Sequence, residues 1–262
     1  MRTAELLRRA SGAARRGSRF LAVFPLLWAW SYVQGTHVKP TKNAGTGISG
    51  SAAHLGEVDR GPRGKSEIAL TFDAGKEAEC FDDLITVLAN AHVHCTFFIT
   101  GAFAREHPDC AAEIAKHGHE VGNHTWSHLN LTEQPDAVVR DEIVRAERAI
   151  VKVTGQSPRP RFRAPYGFRD ERVLKIARNL GYRSIGWTLD SLDGVEPAKS
   201  PQFLIERIGG QSDTDLDGAI ILMHVGVRST VDALPTIITN LQSRDFHLVT
   251  ISKLLEPAAP TR

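Results

Sequence analysis

The 262-residue chain is long enough for one sizeable α/β domain and too short for two comfortable ones. Its hydrophobic fraction of 42% and charged fraction of 24% place it among ordinary soluble globular proteins. The formal net charge of +2 hides an asymmetry: residues 1–19 hold six arginines against Glu5, leaving 26 basic against 29 acidic residues elsewhere. A slightly acidic body lacks the basic face that nucleic-acid binding needs, so no nucleic-acid partner is expected.

The chain opens on a basic stretch that runs into apolar residues from Phe20 to Val33, broken only by Pro25 and Ser31. Those fourteen residues fall short of the roughly 20 that a spanning helix requires and suit a secretory h-region. Residues 1–35 are therefore expected to be a signal peptide or an N-terminal membrane anchor, the arginines staying inside and the domain exported. Residues 36–63, rich in glycine and small polar residues, read as a flexible linker. A catalytic domain is expected over residues 64–256, and residues 257–262 as a tail.

Within the domain, strands and helices alternate. Ile68–Phe72 and Cys95–Ile99 are short apolar strands, with a helix over Phe81–Asn90 between them. The clearest helix starts near Pro135: Val139, Ile143, Ala146, Ile150 and Val153 share one face at 3.6-residue spacing, and Gly155 stops it. Further strands are expected at Arg161–Arg163, Arg183–Trp187, Ala219–Met223 and His247–Thr250. The helices between them are expected at Glu171–Leu180, Pro201–Ile208 and Val231–Ser243. Such alternation implies a parallel sheet wrapped by helices, open or closed. Three cysteines and no C-x-x-C pattern exclude a cysteine-based zinc site. Cys95 reads as a buried free thiol, and a Cys80–Cys110 disulfide stays open for an exported chain.

Polar clusters follow the predicted strands, where parallel α/β folds assemble their sites. Thr71-Phe72-Asp73-Ala74-Gly75 presents a carboxylate at the sheet's edge; alone, it reads first as an Asx-turn or a helix cap. His124 and His128 are four residues apart, so on one side of a helical turn both rings reach a single metal ion. In Arg163-Ala164-Pro165-Tyr166-Gly167 a permanent cation precedes a rigid turn and can lock a neighbouring carboxylate. Trp187-Thr188-Leu189-Asp190-Ser191-Leu192-Asp193 ends a strand with two carboxylates, and Ile221-Leu222-Met223-His224 ends another with a histidine.

These clusters, in this order, resemble the polysaccharide deacetylases of carbohydrate esterase family 4, the NodB-homology domain. Ala69-Leu70-Thr71-Phe72-Asp73, Cys95-Thr96-Phe97-Phe98-Ile99-Thr100-Gly101 and Gly118-His119-Glu120-Val121-Gly122-Asn123-His124 extend the resemblance across residues 67 to about 255. It implies an α/β fold, a distorted (β/α) barrel of about seven parallel strands. The activity it implies is removal of N-acetyl groups from the amino sugars of an extracellular polysaccharide, peptidoglycan or chitin-like. It also implies one divalent metal ion: zinc first, with cobalt, manganese or nickel as alternatives.

Residue by residue, Asp73 resembles the general base, and His124 and His128 two metal ligands. Arg163 resembles the residue that holds the base, and the Tyr166 backbone N–H an oxyanion donor. His224 resembles the general acid with Asp190 as its orienting carboxylate, and Leu222 and Trp187 resemble walls of the acetyl pocket.

The chain departs from the family at Ala74, where the family carries a second aspartate as third metal ligand. Glu77, Glu79, Asp82 and Asp83 follow closely, and Glu77 is the first candidate to replace it, beside the reading of these acids as solvated helix-start residues. Two other functions stay open. One is a catalytically silent sugar-binding relative, which Ala74 favours. The other is a metal-free amidohydrolase for small amides, which the intact histidine pair disfavours.

Overall fold

The computed structural model describes residues 56–257. In chain order the elements are β1 (Glu67–Ala74), α1 (Phe81–Asn90), β2 (Thr96–Ile99), α2 (Gly101–Glu106), α3 (Pro108–Lys116) and β3 (Glu120–Asn123). They continue with α4 (Asp136–Thr154), β4 (Arg161–Phe162), α5 (Glu171–Asn179), β5 (Arg183–Ser184) and β6 (Leu189–Asp190). The last are α6 (Pro201–Gly209), α7 (Asp213–Leu216), β7 (Ile220–His224), α8 (Arg228–Ser243), β8 (His247–Leu248) and α9 (Ile251–Leu254). The expected signal peptide or anchor, most of the linker and most of the tail lie outside the described residues.

Seven strands run side by side in the order β5-β4-β3-β2-β1-β7-β6, all parallel, and curve into a half-barrel; β8 adds to the start of β1. The expected linker ends earlier than residue 63. Val58 bridges Ile185 beyond β5, and Arg60 bridges Ala219 ahead of β7, so this segment stitches the side where β5 and β6 do not pair. Backbone bonds from Val58 N to Ser184 O (2.9 Å) and from Gly61 N to Gly218 O (2.8 Å) fix it there. Composition could not reveal this, because backbone bonds, the Arg60 side chain and a single buried valine, Val58, make the contact and leave no apolar periodicity.

Period-two alternation in β1 decides what faces the site. Ile68, Leu70, Phe72 and Ala74 join the apolar core shared with the surrounding helices, while Ala69 faces a second cluster with Val58, Phe98, Ile185 and Ile220. Thr71 and Asp73 therefore rise along the inner side above Ala69. In register beside them on β7 stand Leu222 and His224, and opposite Asp73 on β2 stands Phe98. The long helix α4 buries Val139, Ile143, Ala146 and Ile150 and ends at Gly155, whose left-handed φ of 68° lets its N–H close on Val151 O. Cys80, Cys95 and Cys110 are all free thiols, so the disulfide left open by the sequence is not formed.

Candidate active site

Asp73 reaches the carboxyl end of β1 almost fully buried, and a buried carboxylate needs a partner. Arg163, directly after β4, supplies it: Nη1 donates to Asp73 Oδ1 at 2.7 Å and to Thr71 Oγ1 at 2.9 Å. The remaining guanidinium donors bond Ile185 O (3.1 Å) and Gly186 O (3.0 Å), and the plane lies 4.0 Å over the Phe98 ring. Gly122, beside Phe98 on β3, makes room for that ring, since a Cβ there would stand 2.5 Å from it. Burial opposes ionisation of Asp73, but Arg163, with His124 and His224, outweighs it and holds the carboxyl below its ordinary value.

His124 and His128 converge as expected, but not on a helical turn. Residues 124–128 form an irregular loop after β3, in which Thr125 (φ 67°) and His128 (φ 63°) take left-handed backbone. His124 Nδ1 donates to Arg163 O at 2.9 Å, which leaves its Nε2 lone pair facing His128 Nε2 at 3.1 Å and Asp73 Oδ2 at 3.5 Å. Arg163 thus sets two groups at once, Asp73 through its side chain and the His124 tautomer through its carbonyl. Burial lowers the pKa of both rings, that of His128 to about 3 with His124 as a second cause, so both are neutral near pH 7 and fit for ligation.

His224 ends β7 in register with Asp73. The carboxylate that orients it is Asp193, not the expected Asp190. Asp193 Oδ1 takes His224 Nδ1 at 2.7 Å, and its Oδ2 takes the His224 backbone N–H (2.9 Å) and the Thr230 hydroxyl (2.6 Å). Asp190 instead accepts the Leu192 N–H at 2.8 Å. Its place on β6 pairs it with Leu222, whereas the turn beyond the strand carries Asp193 back over the imidazole. Burial disfavours the imidazolium of His224, yet the hydrogen bond and charge of Asp193 raise its pKa above the usual value. Burial opposes ionisation of Asp193 in turn, but His224 and Thr230 outweigh it and hold the carboxyl low; burial, with the nearby charge of Asp193, pushes Asp190 up against the Leu192 hydrogen bond and His224. About 35% of the His224 side chain stays accessible, so the ring can meet a substrate.

Tyr166 adopts a left-handed φ of 57° in the 3-10 turn Pro165–Gly167. The turn's own bonds run from Gly167 N to Ala164 O and from Phe168 N to Pro165 O, and the Tyr166 N–H enters neither. Its ring packs edge-on against His128 at 4.5 Å between centroids. Trp187 lies between this turn and Arg163: a Cβ on Gly167 would stand 2.8 Å from it, and the guanidinium is 5.7 Å from its ring. Leu222 is buried beside Thr71.

The expected third ligand, Glu77, does not join the site. It stands exposed in the turn after β1, its Cβ beside Gly226 beyond β7, whereas the imidazoles follow β3 on the other side of β1. Ala74 completes the apolar face of β1 and offers no donor. Among the described residues no group of three or more His, Cys, Asp and Glu side chains is gathered to hold a metal ion. The two imidazoles nonetheless suit one: nitrogens at about 2.0–2.1 Å from a tetrahedral zinc stand about 3.3 Å apart, close to the 3.1 Å between their Nε2 atoms.

Residues 60–185 match the family model described as polysaccharide deacetylase. The peptidoglycan-N-acetylglucosamine deacetylase of Bacillus cereus is 32% identical over 202 residues, covering 75% of this chain and 70% of that protein. The chitooligosaccharide deacetylase of Bradyrhizobium is 32% identical over 206 residues, covering 73% of this chain and 91% of that one. Among solved structures, wild-type BA3943, a CE4-family pseudoenzyme from Bacillus anthracis, is similar with a TM-score of 0.71 at 31% identity, over 76% of this chain and 69% of that one. A BA3943 mutant with restored enzymatic activity matches equally, with a TM-score of 0.71 at 32% identity, over 76% and 71%. With the fold, the clusters and these relatives in agreement, the chain belongs to the polysaccharide deacetylase family.

Proposed function

We propose that the chain is an exported, metal-dependent hydrolase that removes N-acetyl groups from amino sugars of an extracellular polysaccharide, peptidoglycan or chitin-like, and releases acetate. The observation that carries this reading is the convergence of Asp73–Arg163, His124–His128 and His224–Asp193 around one edge of the sheet. Deacetylases of peptidoglycan and chitooligosaccharide among the relatives support the substrate class, and the basic-then-apolar order of residues 1–33 supports export.

His124 and His128 would hold the ion, zinc first, with cobalt, manganese or nickel as alternatives; when bound it polarises the amide carbonyl and acidifies water. The protein's own groups do the rest. Asp73 Oδ2, the oxygen that Arg163 leaves free, takes the proton of the attacking water. Arg163 keeps that carboxylate ionised, and the Tyr166 N–H donates to the oxyanion. An amine cannot leave as an anion. His224, whose protonated form Asp193 favours, gives it a proton as the C–N bond breaks. Leu222 and Trp187 wall the acetyl group.

The test is acetate release by the full chain from acetylated chitooligosaccharides and peptidoglycan fragments, with and without chelator. Release that chelator abolishes and zinc restores supports the proposal; release indifferent to chelator would point to a metal-free amidohydrolase. One observation favours a second reading, a silent sugar-binding relative: Ala74 removes a ligand position, and a CE4-family pseudoenzyme is among the similar structures. Binding of oligosaccharide without acetate release under any metal would establish it.

A further inference from the structure

We propose that Glu142 is a positioning residue that shapes the loop between His124 and His128 and so holds the two rings in ligand geometry. The inference rests on the metal-site reading above. No regular structure spans residues 124–128, so each backbone N–H there needs a partner from elsewhere. Side chains supply all four that follow His124. Asn123 Oδ1 takes Thr125 N (2.9 Å) and Thr125 Oγ1 takes His128 N (3.2 Å). Between them Glu142 Oε2 takes both Trp126 N (3.0 Å) and Ser127 N (2.8 Å), and its Oε1 takes the Ser127 hydroxyl (2.7 Å). The loop's carbonyls are fixed from the other side, Thr125 O by Gly101 N and Trp126 O by Ala102 N, at the start of α2.

Glu142 is only 4% exposed and shares the inner face of α4 with Val139, Ile143 and Ala146. Among the described residues it forms no ion pair. A buried carboxylate without hydrogen bonds is strongly disfavoured, and all of those assigned to this one lead to the loop. Were it a packing residue, a leucine would serve α4 better. Its bonds grip the segment in which the backbone passes between two left-handed residues, Thr125 and His128, a conformation that non-glycine residues adopt at a cost and that needs partners to hold it.

The test compares Glu142→Gln, Glu142→Asp and Glu142→Leu in the full chain, with zinc titrated by calorimetry and cobalt followed by its visible bands. Amide exchange at Trp126 and Ser127 and thermal unfolding are read alongside, without metal. Gln keeps an acceptor oxygen in place; Asp keeps the charge but falls one methylene short; Leu keeps only the volume. Gln should stay within about 3-fold of the parent in zinc affinity, whereas Asp and Leu weaken it about 10–100-fold, alter the cobalt bands and speed exchange at both amides. Parent-like zinc affinity and exchange in folded Asp and Leu variants would overturn the proposal. So would loss in Gln with Asp unaffected, which would make charge, not reach, the operative property. If Leu fails to fold, the Gln–Asp comparison decides alone. A parent chain that binds no zinc would defeat the metal reading, and amide exchange would still decide the role of Glu142.

Discussion

Replacing Asp193 by Asn should disable the proposed acid, while replacing Asp190 by Asn should affect it much less. Asp193 holds His224 Nδ1 at 2.7 Å with one oxygen and the His224 N–H and Thr230 hydroxyl with the other. A hydrogen bond to a charged group contributes about 1.5–3 kcal/mol, so its loss should shrink the imidazolium population about 10- to 150-fold wherever the neutral ring dominates. The sign follows from His224 being raised by Asp193: the protonated acid persists to higher pH than an ordinary imidazole, and activity falls as pH rises through that value. In Asp193→Asn that alkaline limb should move to lower pH, in kcat/KM for acetate release and in the NMR titration of the His224 ring. Asp190→Asn should move the limb much less, because that carboxylate bonds Leu192 N and reaches His224 through its charge alone, behind Asp193 and Asp73. A limb that moves with Asp190 and stays with Asp193 would refute the assignment.

Asp73→Asn should retain zinc, since the imidazoles supply the donors, yet cut acetate release by about 100-fold or more; unchanged turnover would remove Asp73 from the mechanism. Glu77→Ala should leave zinc affinity unaltered, because the side chain stands exposed toward Gly226, and a calorimetric loss would contradict that placement. Gly122→Ala should destabilise the fold by about 1–3 kcal/mol, its new methyl forced against Phe98. Because Phe98 supports Arg163, activity should fall in the fraction that remains folded, and parent-like thermal unfolding would argue against this chain of contacts.

Where one physical signal dominated, the sequence was legible. The apolar run Ile68–Phe72 lies in β1, α1 has the expected bounds Phe81–Asn90, and the 3.6-residue stripe of α4 is buried. Glu120–Asn123 escaped notice as a strand because four residues with a glycine and an asparagine show no alternation, and β6 is two residues long. Both are strands only because a neighbour offers a ladder. Spacing brought His124 and His128 together but suggested the wrong backbone, since the loop path depends on Glu142, fourteen residues further on. Likewise the sequence set two carboxylates at one strand end and the resemblance favoured Asp190, whereas the turn after β6 brings Asp193 to His224 and leaves Asp190 on Leu192 N.

Arg163 explains how the site keeps its shape although residue 74 is an alanine. Asp73 is placed by the guanidinium and the His124 ring by the Arg163 carbonyl, so neither waits for an ion to organise it. What Ala74 changes is charge. The carboxylate of Asp73 is already balanced by Arg163, and both imidazoles are neutral, so a divalent ion would meet two uncharged donors. Such a site should load at least about 10–100-fold less tightly than one with a carboxylate in place, since losing even a hydrogen-bond partner of a ligand costs that much and a direct ligand is lost here. Acetate release should therefore rise and saturate with buffered free zinc, and dialysis against chelator should strip it reversibly. Stoichiometric zinc that survives such dialysis would show that another group completes the shell, and that the charge argument fails.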